Sequence, residues 1–427
     1  MEKNNNCIYC GRNPVPHFIN WYFESINVLL TPLRKILLYN FASRYLKKKL
    51  RQLKLEYALF FLGKLFKIIT FNDDIARCKV KRAQVLWEEA LKRGIEMREL
   101  LLLGKPFDVY LAEKKYPSSF IPNPCLAGHR PRGSDSGSRQ ALQPKIKDKG
   151  SRMIFSGLPR PKDYDNSSLD WMDDKLILKK AFIKANLPIP QGGCAWNYIQ
   201  AKRIFSRIEK PAIVKPRAGS RGRHSTTFVS STGELKQAFK IAKQLCFWVV
   251  VEEQLKGPVY RATLINYELC GVLRGDPPQV KGNGRQAIQE LIDVKNSQPC
   301  LGVEKIIADD IVKLFLFRQN LSLLSIPEIG QTIDLSEKIG VSYGGSSSED
   351  FGICHKDNRE LFINAAKVVG DPIVGFDFII PDITRSWKEQ KCGFIEANSL
   401  PFINLHHNPL LGSPRNVAAK VWEMIGW

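Results

Sequence analysis

The sequence predicts an α+β protein in which a mixed α/β unit at residues 166–427 follows a basic, mainly helical region at 1–120. Three observations carry this. From about residue 166, runs with strand and helix periods alternate across short turn signals. Before residue 120, leucines and aromatics recur at helical spacing among lysines and arginines. Between them, residues 121–165 are rich in Pro, Gly, Ser and charge without a sustained apolar period, which reads as a linker or disordered loop.

In the first region Leu46, Leu50, Leu53, Tyr57 and Phe60 form one helical stripe, with Lys47, Lys48, Lys49, Arg51 and Lys54 around it. Such a helix can lie on an anionic membrane as a peripheral contact, or dock on the protein with its charges solvated. The apolar run from Tyr57 to Phe71 is interrupted by Lys64 and Lys67 and falls short of a membrane span. A second helix is expected across KRAQVLWEEALKRGIEM, with Val85, Leu86, Ala90 and Leu91 as its apolar face and Gly94 as its stop. Cys7 and Cys10 form a single C-x-x-C pair with His17 nearby, and a structural zinc site needs more ligands than that. Incidental thiols are the plainer reading. Ten scattered cysteines and a polar start without an apolar leader imply a reducing, cytoplasmic setting. Lys and Arg total 64 against 42 for Asp and Glu, a formal charge of +22 that favours anionic partners.

The chemistry lies in the third region. PAIVKPRAGSRGRHSTTFV reads as a strand ending in Lys215, a loop with Gly219 and Gly222 among Arg217, Arg221 and Arg223, and a second strand. Glycines admit phosphate oxygens close to backbone N–H groups. The spacing is neither a Walker loop nor a dinucleotide fingerprint, and an ordinary surface turn is the alternative. In FWVVVEEQLKGPVYR a buried strand from Phe247 to Val251 ends in Glu252, Glu253 and Leu255, where backbone groups can meet an adenine edge. Arg261 opens the next strand. VGFDFIIPD puts Asp377 in an apolar strand, and GFIEANSLPF puts Glu396 and Asn398 two apart, on one face. If these two strands pair, Asp377, Glu396 and Asn398 make an all-oxygen cluster suited to magnesium.

In this order, with Asp174-Lys175 ahead of them, these residues resemble the ATP-grasp superfamily, and within it the ATP-grasp module of cyanophycin synthetase. The stretches DDKLILKKAFIKANLPIPQG, YRATLI, VKGNGRQAIQELID, VSYGGSSSEDFGICHKDN, GFDFIIPDI and IEANSLPFINLHHNPLLGSPRNVA carry the likeness, from about Trp171 onward. It implies two α/β lobes clasping ATP, the lid lobe near 186–254. It implies that Lys175 and Lys215 hold ATP phosphates and that the loop from Arg217 to Ser225, with Gly219, Ser220 and Gly222, closes over them. Glu252 and the backbone of Glu253, Gln254 and Leu255 would receive adenine. Arg261 would support the phosphates and a developing acyl phosphate, and Asp377, Glu396 and Asn398 would bind two magnesium ions, with manganese as a substitute.

The reaction implied is ATP-dependent ligation: a substrate carboxylate takes the γ-phosphoryl group, and an amine captures the acyl phosphate as an amide. Small carboxylates and amines, such as amino acids or peptides, are the implied substrates. Nucleic acid is not expected, and a homo-oligomer is left open. A small-molecule kinase and a non-catalytic nucleotide-binding module are the competing readings. Arg274 and Arg415 are candidate clamps for substrate carboxylates, or else surface ion-pair residues. His406 and His407 read as structural or as supports to the metal strand, and Tyr343-Gly344-Gly345 as a substrate loop. Two departures stand out. Pro258-Val259 occupies the place where the family often has a ribose-binding acid, and no Mur-ligase-like domain follows the module before Trp427. Unaided synthesis of the two-amino-acid polymer is therefore not expected.

Overall fold

A computed structural model describes residues 17–19, 21–22, 25–26, 68–114, 152–161, 167–218, 222–298, 300 and 302–427. The amphipathic helix expected over 46–60, the pair Cys7 and Cys10, and loop residues Gly219 and Ser220 lie outside them. The chain forms two compact units, Glu56–Asp165 with Ala418–Trp427, and Met1–Leu55 with Asn166–Val417.

The first of these units holds β1 (Ile69–Asn72), α1 (Lys81–Lys92), β2 (Ile95–Leu102), β3 (Lys105–Lys114) and β4 (Arg152–Ser156). The strands make an antiparallel sheet in the order β1-β2-β3-β4. This corrects the expectation of a mainly helical region, which among the described residues of 68–114 holds for α1. The stretch IEMRELLL is built from good helix formers, yet Ile95 and Met97 are buried while Glu96 and Arg98 lie further out, the period of a strand. Gly94 takes a φ of +68° that a side chain would resist, and so lets the chain turn from α1 directly into β2. Of the face assigned to α1, Val85, Leu86 and Ala90 are buried, joined by Ala83 and Trp87, whereas Leu91 is 55% exposed.

Part of the segment read as linker is also structured. Met153 pairs with Ala112 and Phe155 with Tyr110, so β4 completes the sheet. The C-terminal helix (Val417–Ile425) joins this unit from Ala418 onward. The Trp422 indole N–H donates to the Leu86 carbonyl at 3.0 Å, and its ring meets Phe155 edge-on at 5.5 Å.

The second unit begins with α2 (Lys175–Lys184), then β5 (Gly192–Ala195), α3 (Tyr198–Phe205), β6 (Ala212–Pro216), β7 (Thr226–Val229), α4 (Thr232–Lys243) and β8 (Val249–Glu253). These strands form an antiparallel sheet in the order β5-β8-β6-β7. On one face Ala212, Val214, Val249 and Val251 bury against Phe205 of α3 and Leu235 and Phe239 of α4. By alternation Lys215 and Glu252 point to the other face.

The chain continues through β9 (Val259–Ile265), β10 (Glu268–Asp276), β11 (Gln279–Lys281), α5 (Ile288–Ser297), α6 (Asp310–Arg318), β12 (Thr332–Asp334), β13 (Ser346–Glu349), α7 (Lys356–Val369), β14 (Ile373–Ile379), β15 (Gly393–Asn398), α8 (Asn404–His407) and β16 (Leu411–Gly412). Six of these strands form a sheet in the order β15-β14-β9-β10-β13-β16, antiparallel except for the last pair. Tyr260, Ala262, Leu264, Phe376 and Phe378 pack one face against α2 and α7, around Phe182, Phe362 and Phe394. Phe394 sits at 4.8–6.0 Å, ring to ring, from Phe182, Phe362, Phe376 and Phe378. That aromatic core leaves the opposite face for polar side chains. Among the described residues no helix is long and apolar enough to cross a membrane.

Candidate active site

The polar face of the six-stranded sheet is set by register. Asp377 on β14 lies opposite Arg261 on β9 and opposite Glu396 on β15, so three charged side chains form one row across three strands. Arg261 grips Asp377 through two bonds, Nε to Oδ1 at 2.9 Å and a terminal nitrogen to Oδ2 at 3.0 Å. Phe402 lies over the guanidinium at 5.7 Å. Burial pushes the Asp377 carboxyl up, but Arg261 outweighs it and holds the carboxyl below the usual value. Glu396 has no such fork. Burial raises its carboxyl and the neighbouring Asp377 raises it further, against the pull of Lys175, whose Nζ lies 3.6 Å from Oε2.

Asn398 follows on the same face, opposite Gly375. Its buried amide nitrogen has no hydrogen-bond partner among the described residues. A buried and a half-buried carboxylate side by side are costly by themselves and, with the Asn398 amide oxygen on the same face, fit a hard divalent cation that takes a few protein oxygens. No group of three His, Cys, Asp or Glu side chains among the described residues is placed to hold a metal, so any ion here relies on two carboxylates and an amide.

Lys175 is placed by the start of α2. Asp174 is the N-cap, accepting from the Leu176 and Ile177 N–H groups at 2.9 and 3.2 Å. The same carboxylate takes a two-point grip from Arg217, at 3.0 and 2.8 Å, which ties the end of β6 to the head of α2. Arg217, read from sequence as a cation of the glycine loop, thus spends its charge on Asp174.

One turn beyond Lys175, Lys179 enters the site. Its ammonium and that of Lys215 both pair with the Glu252 carboxylate, which is 1% exposed. Burial and the nearby Lys175 bring Lys179 down to about 7. Burial, Lys179 and Lys175 hold Lys215 well below an ordinary lysine, while Glu396 pulls it the other way. Lys175, Lys179, Lys215, Glu252 and Glu396 therefore act as one electrostatic cluster. Sequence reasoning missed Lys179, although the signal was present: a lysine four residues after Lys175 in the otherwise apolar KLILKKAFIK.

The remaining expected residues are placed unevenly. Gly222 has a φ of +63°. The Glu253 and Gln254 N–H groups donate to the carbonyls of Gln191 at 2.8 Å and Pro211 at 3.0 Å, so neither is open to a base. The Glu253 carboxylate accepts from the Gln191 N–H and pairs with Lys391 at 2.6 Å, and the Gln254 amide oxygen accepts from Phe228 N–H at 2.7 Å. Leu255 is buried, and no described carbonyl faces its N–H. Arg274 does not join the row. It pairs in register with Tyr260, on the helix-covered face, and binds Asp276 at 2.8 Å. Arg415 donates to the Cys270 carbonyl at 3.0 Å and lies over Phe351 at 3.8 Å.

His406 is wholly buried between Thr263 Oγ1 at 2.8 Å and Glu349 Oε2 at 2.6 Å. A Cβ at residue 271 would lie 2.3 Å from its ring, which is why glycine stands there. A cavity of about 350 Å³, lined by Leu176, Cys194, Trp196, Arg203, Arg217 and Trp248, opens beside the head of α2.

No protein-family model matches the chain. Over 263 residues, 60% of this chain, it is 32% identical to the glutathione biosynthesis bifunctional protein GshAB of Clostridium perfringens, and covers 34% of that protein. Over 261 residues, 59% of the chain, it is 30% identical to the cyanophycin synthetase of Crocosphaera subtropica, and covers 30% of it. The chain thus spans about a third of the length of these relatives. A crystal structure of a bifunctional glutathione synthetase from Pasteurella multocida superposes with a TM-score of 0.52 at 23% identity, over 82% of this chain and 44% of that one.

Proposed function

We propose that the ATP-grasp fold of this chain, which resembles the ATP-grasp module of cyanophycin synthetase, joins a small carboxylate to an amine with ATP and magnesium, releasing ADP and phosphate. The observation that carries this reading is the row Arg261–Asp377–Glu396, met by Lys175 from the head of α2. It gathers cations for phosphate oxygens and oxygens for metal ions on one face.

In this reading Lys175 and Lys215 hold the phosphates, and residues 217–225 close over them. Asp377, Glu396 and Asn398 hold magnesium, two ions in the full site, with manganese able to substitute. Magnesium neutralises charge on the phosphoryl oxygens when bound. Arg261, fixed by Asp377, presents its outer edge to the acyl phosphate as its charge develops. The closed β5-β8-β6-β7 sheet keeps water from that intermediate until an amine captures it. Relatives named for making glutathione and cyanophycin support a ligase over a kinase.

The test is phosphate release from magnesium ATP over pools of amino acids, peptides and small carboxylates, with mass spectrometry of each active pool. Release that requires both an acid and an amine, with a product mass equal to their sum less water, supports the ligase. A stable product heavier by one phosphoryl group turns the reading to a kinase. Nucleotide binding without turnover in any pool leaves a binding module.

A further inference from the structure

The β5-β8-β6-β7 sheet carries a cavity that the ligase reading does not use. Trp196 and Arg217 follow β5 and β6, and Trp248 precedes β8, each one residue beyond the paired row Ala195–Val249–Pro216. The Arg217 N–H donates to the Trp248 carbonyl at 3.0 Å, which carries the pairing one step further. By alternation these three side chains share the face of Cys194 and Lys215. With Leu176, Arg203 and Ile204 they bound about 350 Å³, within the range of small-molecule sites. Neither the Arg261–Asp377–Glu396 row nor the lysines of the phosphate cluster line it.

The walls are built to stay in place. The Trp196 N–H donates to the Gln200 side chain at 3.1 Å, and the Trp196 carbonyl accepts from Lys243 at 2.9 Å. Its indole is nonetheless 51% exposed, a large ring held at an opening rather than packed into a core. The two guanidinium groups differ. Arg217 is committed to Asp174 and lies 5.8 Å from the Trp248 ring, whereas Arg203 on α3 makes no ion pair among the described residues. One unpaired fork matches a carboxylate in two-point geometry, while a phosphate dianion calls for a second cation. Two indoles on the wall favour a ring as the rest of the ligand. We infer that this cavity is a second small-molecule site, apart from the nucleotide and metal site, that takes an aromatic carboxylate, with the ring against Trp196 and Trp248 and the carboxylate on Arg203.

The test is saturation-transfer NMR titration of the full chain with 3-phenylpropionate, 3-phenylpropan-1-ol and propionate, in about 150 mM salt to screen the general pull of a basic protein. The aromatic acid should bind with a dissociation constant on the order of 0.1–1 mM, as a ligand of its size allows. The alcohol should bind about fivefold more weakly, and propionate, which lacks the ring, not measurably. Trp196→Ala should weaken the acid at least about tenfold, and Arg203→Gln should bring acid and alcohol to the same affinity. Saturating magnesium ATP should leave the probe bound. No binding of the acid at about 10 mM overturns the inference, as do equal affinities of acid and alcohol in the wild type. Displacement by ATP places the probe in the nucleotide site and overturns it too. Should Trp196→Ala fail to fold, Arg203→Gln, at an exposed position, decides, and a retained preference for the acid there overturns the inference. The expected pattern in a chain that binds no nucleotide overturns the ligase reading and leaves this inference standing.

Discussion

At the scale of single residues, the polar face runs on compensation. Glu396→Gln removes one of two adjacent carboxylates, so the fold should keep its urea midpoint while ATP turnover falls by at least about 100-fold. Lys215→Ala should lose turnover to a similar degree. Arg261→Ala is the opposite case, because it leaves Asp377 buried beside Glu396 with no fork. A loss of about 3–5 kcal/mol in urea unfolding is expected, partly recovered by millimolar magnesium. Arg261→Ala with full stability in metal-free buffer would show that the row is not coupled as its geometry implies.

His224 supplies a pH dependence. It is fully buried, and burial, joined by His17 and Arg223 against a bond to the Ile241 carbonyl, lowers its pKa from 6.5 to about 4. Below 6.5 the unfolded chain takes up a proton that the folded chain refuses, so this contribution is present above 6.5 and is lost as pH falls toward 4. Between pH 7.5 and pH 5 it amounts to about 2 kcal/mol. Unfolding free energies from urea titrations at those two values should converge by that amount in His224→Phe relative to wild type.

At the scale of elements, the head of α2 governs three site lysines at once, through Lys175, Lys179 and the Arg217 link to the end of β6. Asp174→Ala removes the cap and strands Arg217. A stability loss of about 1–2 kcal/mol should come with a rise in the ATP dissociation constant, both readable in one denaturation and titration series. Elements also explain what the sequence could disclose. The pairing of β14 with β15 was legible, because apolar neighbours at period two leave Asp377 and Glu396 as the lone acids of their strands. The side of Arg274 was not. It depends on the β9–β10 turn, where Asn266 and Tyr267 adopt positive φ, and on a bulge between Leu269 and Gly271. One residue of slip there exchanges faces, and no residue type in the stretch announces it. β2 was hidden for another reason: Leu, Glu, Met and Arg favour helices locally, and only pairing with β1 and β3 makes a strand of them.

At the scale of the molecule, a formal charge of +22 draws anions broadly, whereas the clustered lysines act at short range. ATP affinity should therefore fall with added salt between 50 and 500 mM even though the buried pairs are little screened, and titrations across that range check it. The order of motifs made the fold of residues 166–427 readable, since several chemically constrained stretches in sequence leave few architectures. The unit of Glu56–Asp165 with Ala418–Trp427 was not readable, because residues 166–417 separate its two parts in the chain.

That division has a consequence for synthesis. The face formed by Leu86 and Phe155 is made well before Trp422, which covers it. At the usual speed of a ribosome the intervening stretch takes roughly 10–50 s. For that interval the nascent sheet carries an apolar surface that its own chain cannot yet cover, and a chaperone that engages nascent chains would find its substrate there. A circular permutant that places residues 418–427 ahead of residue 68 would close that window.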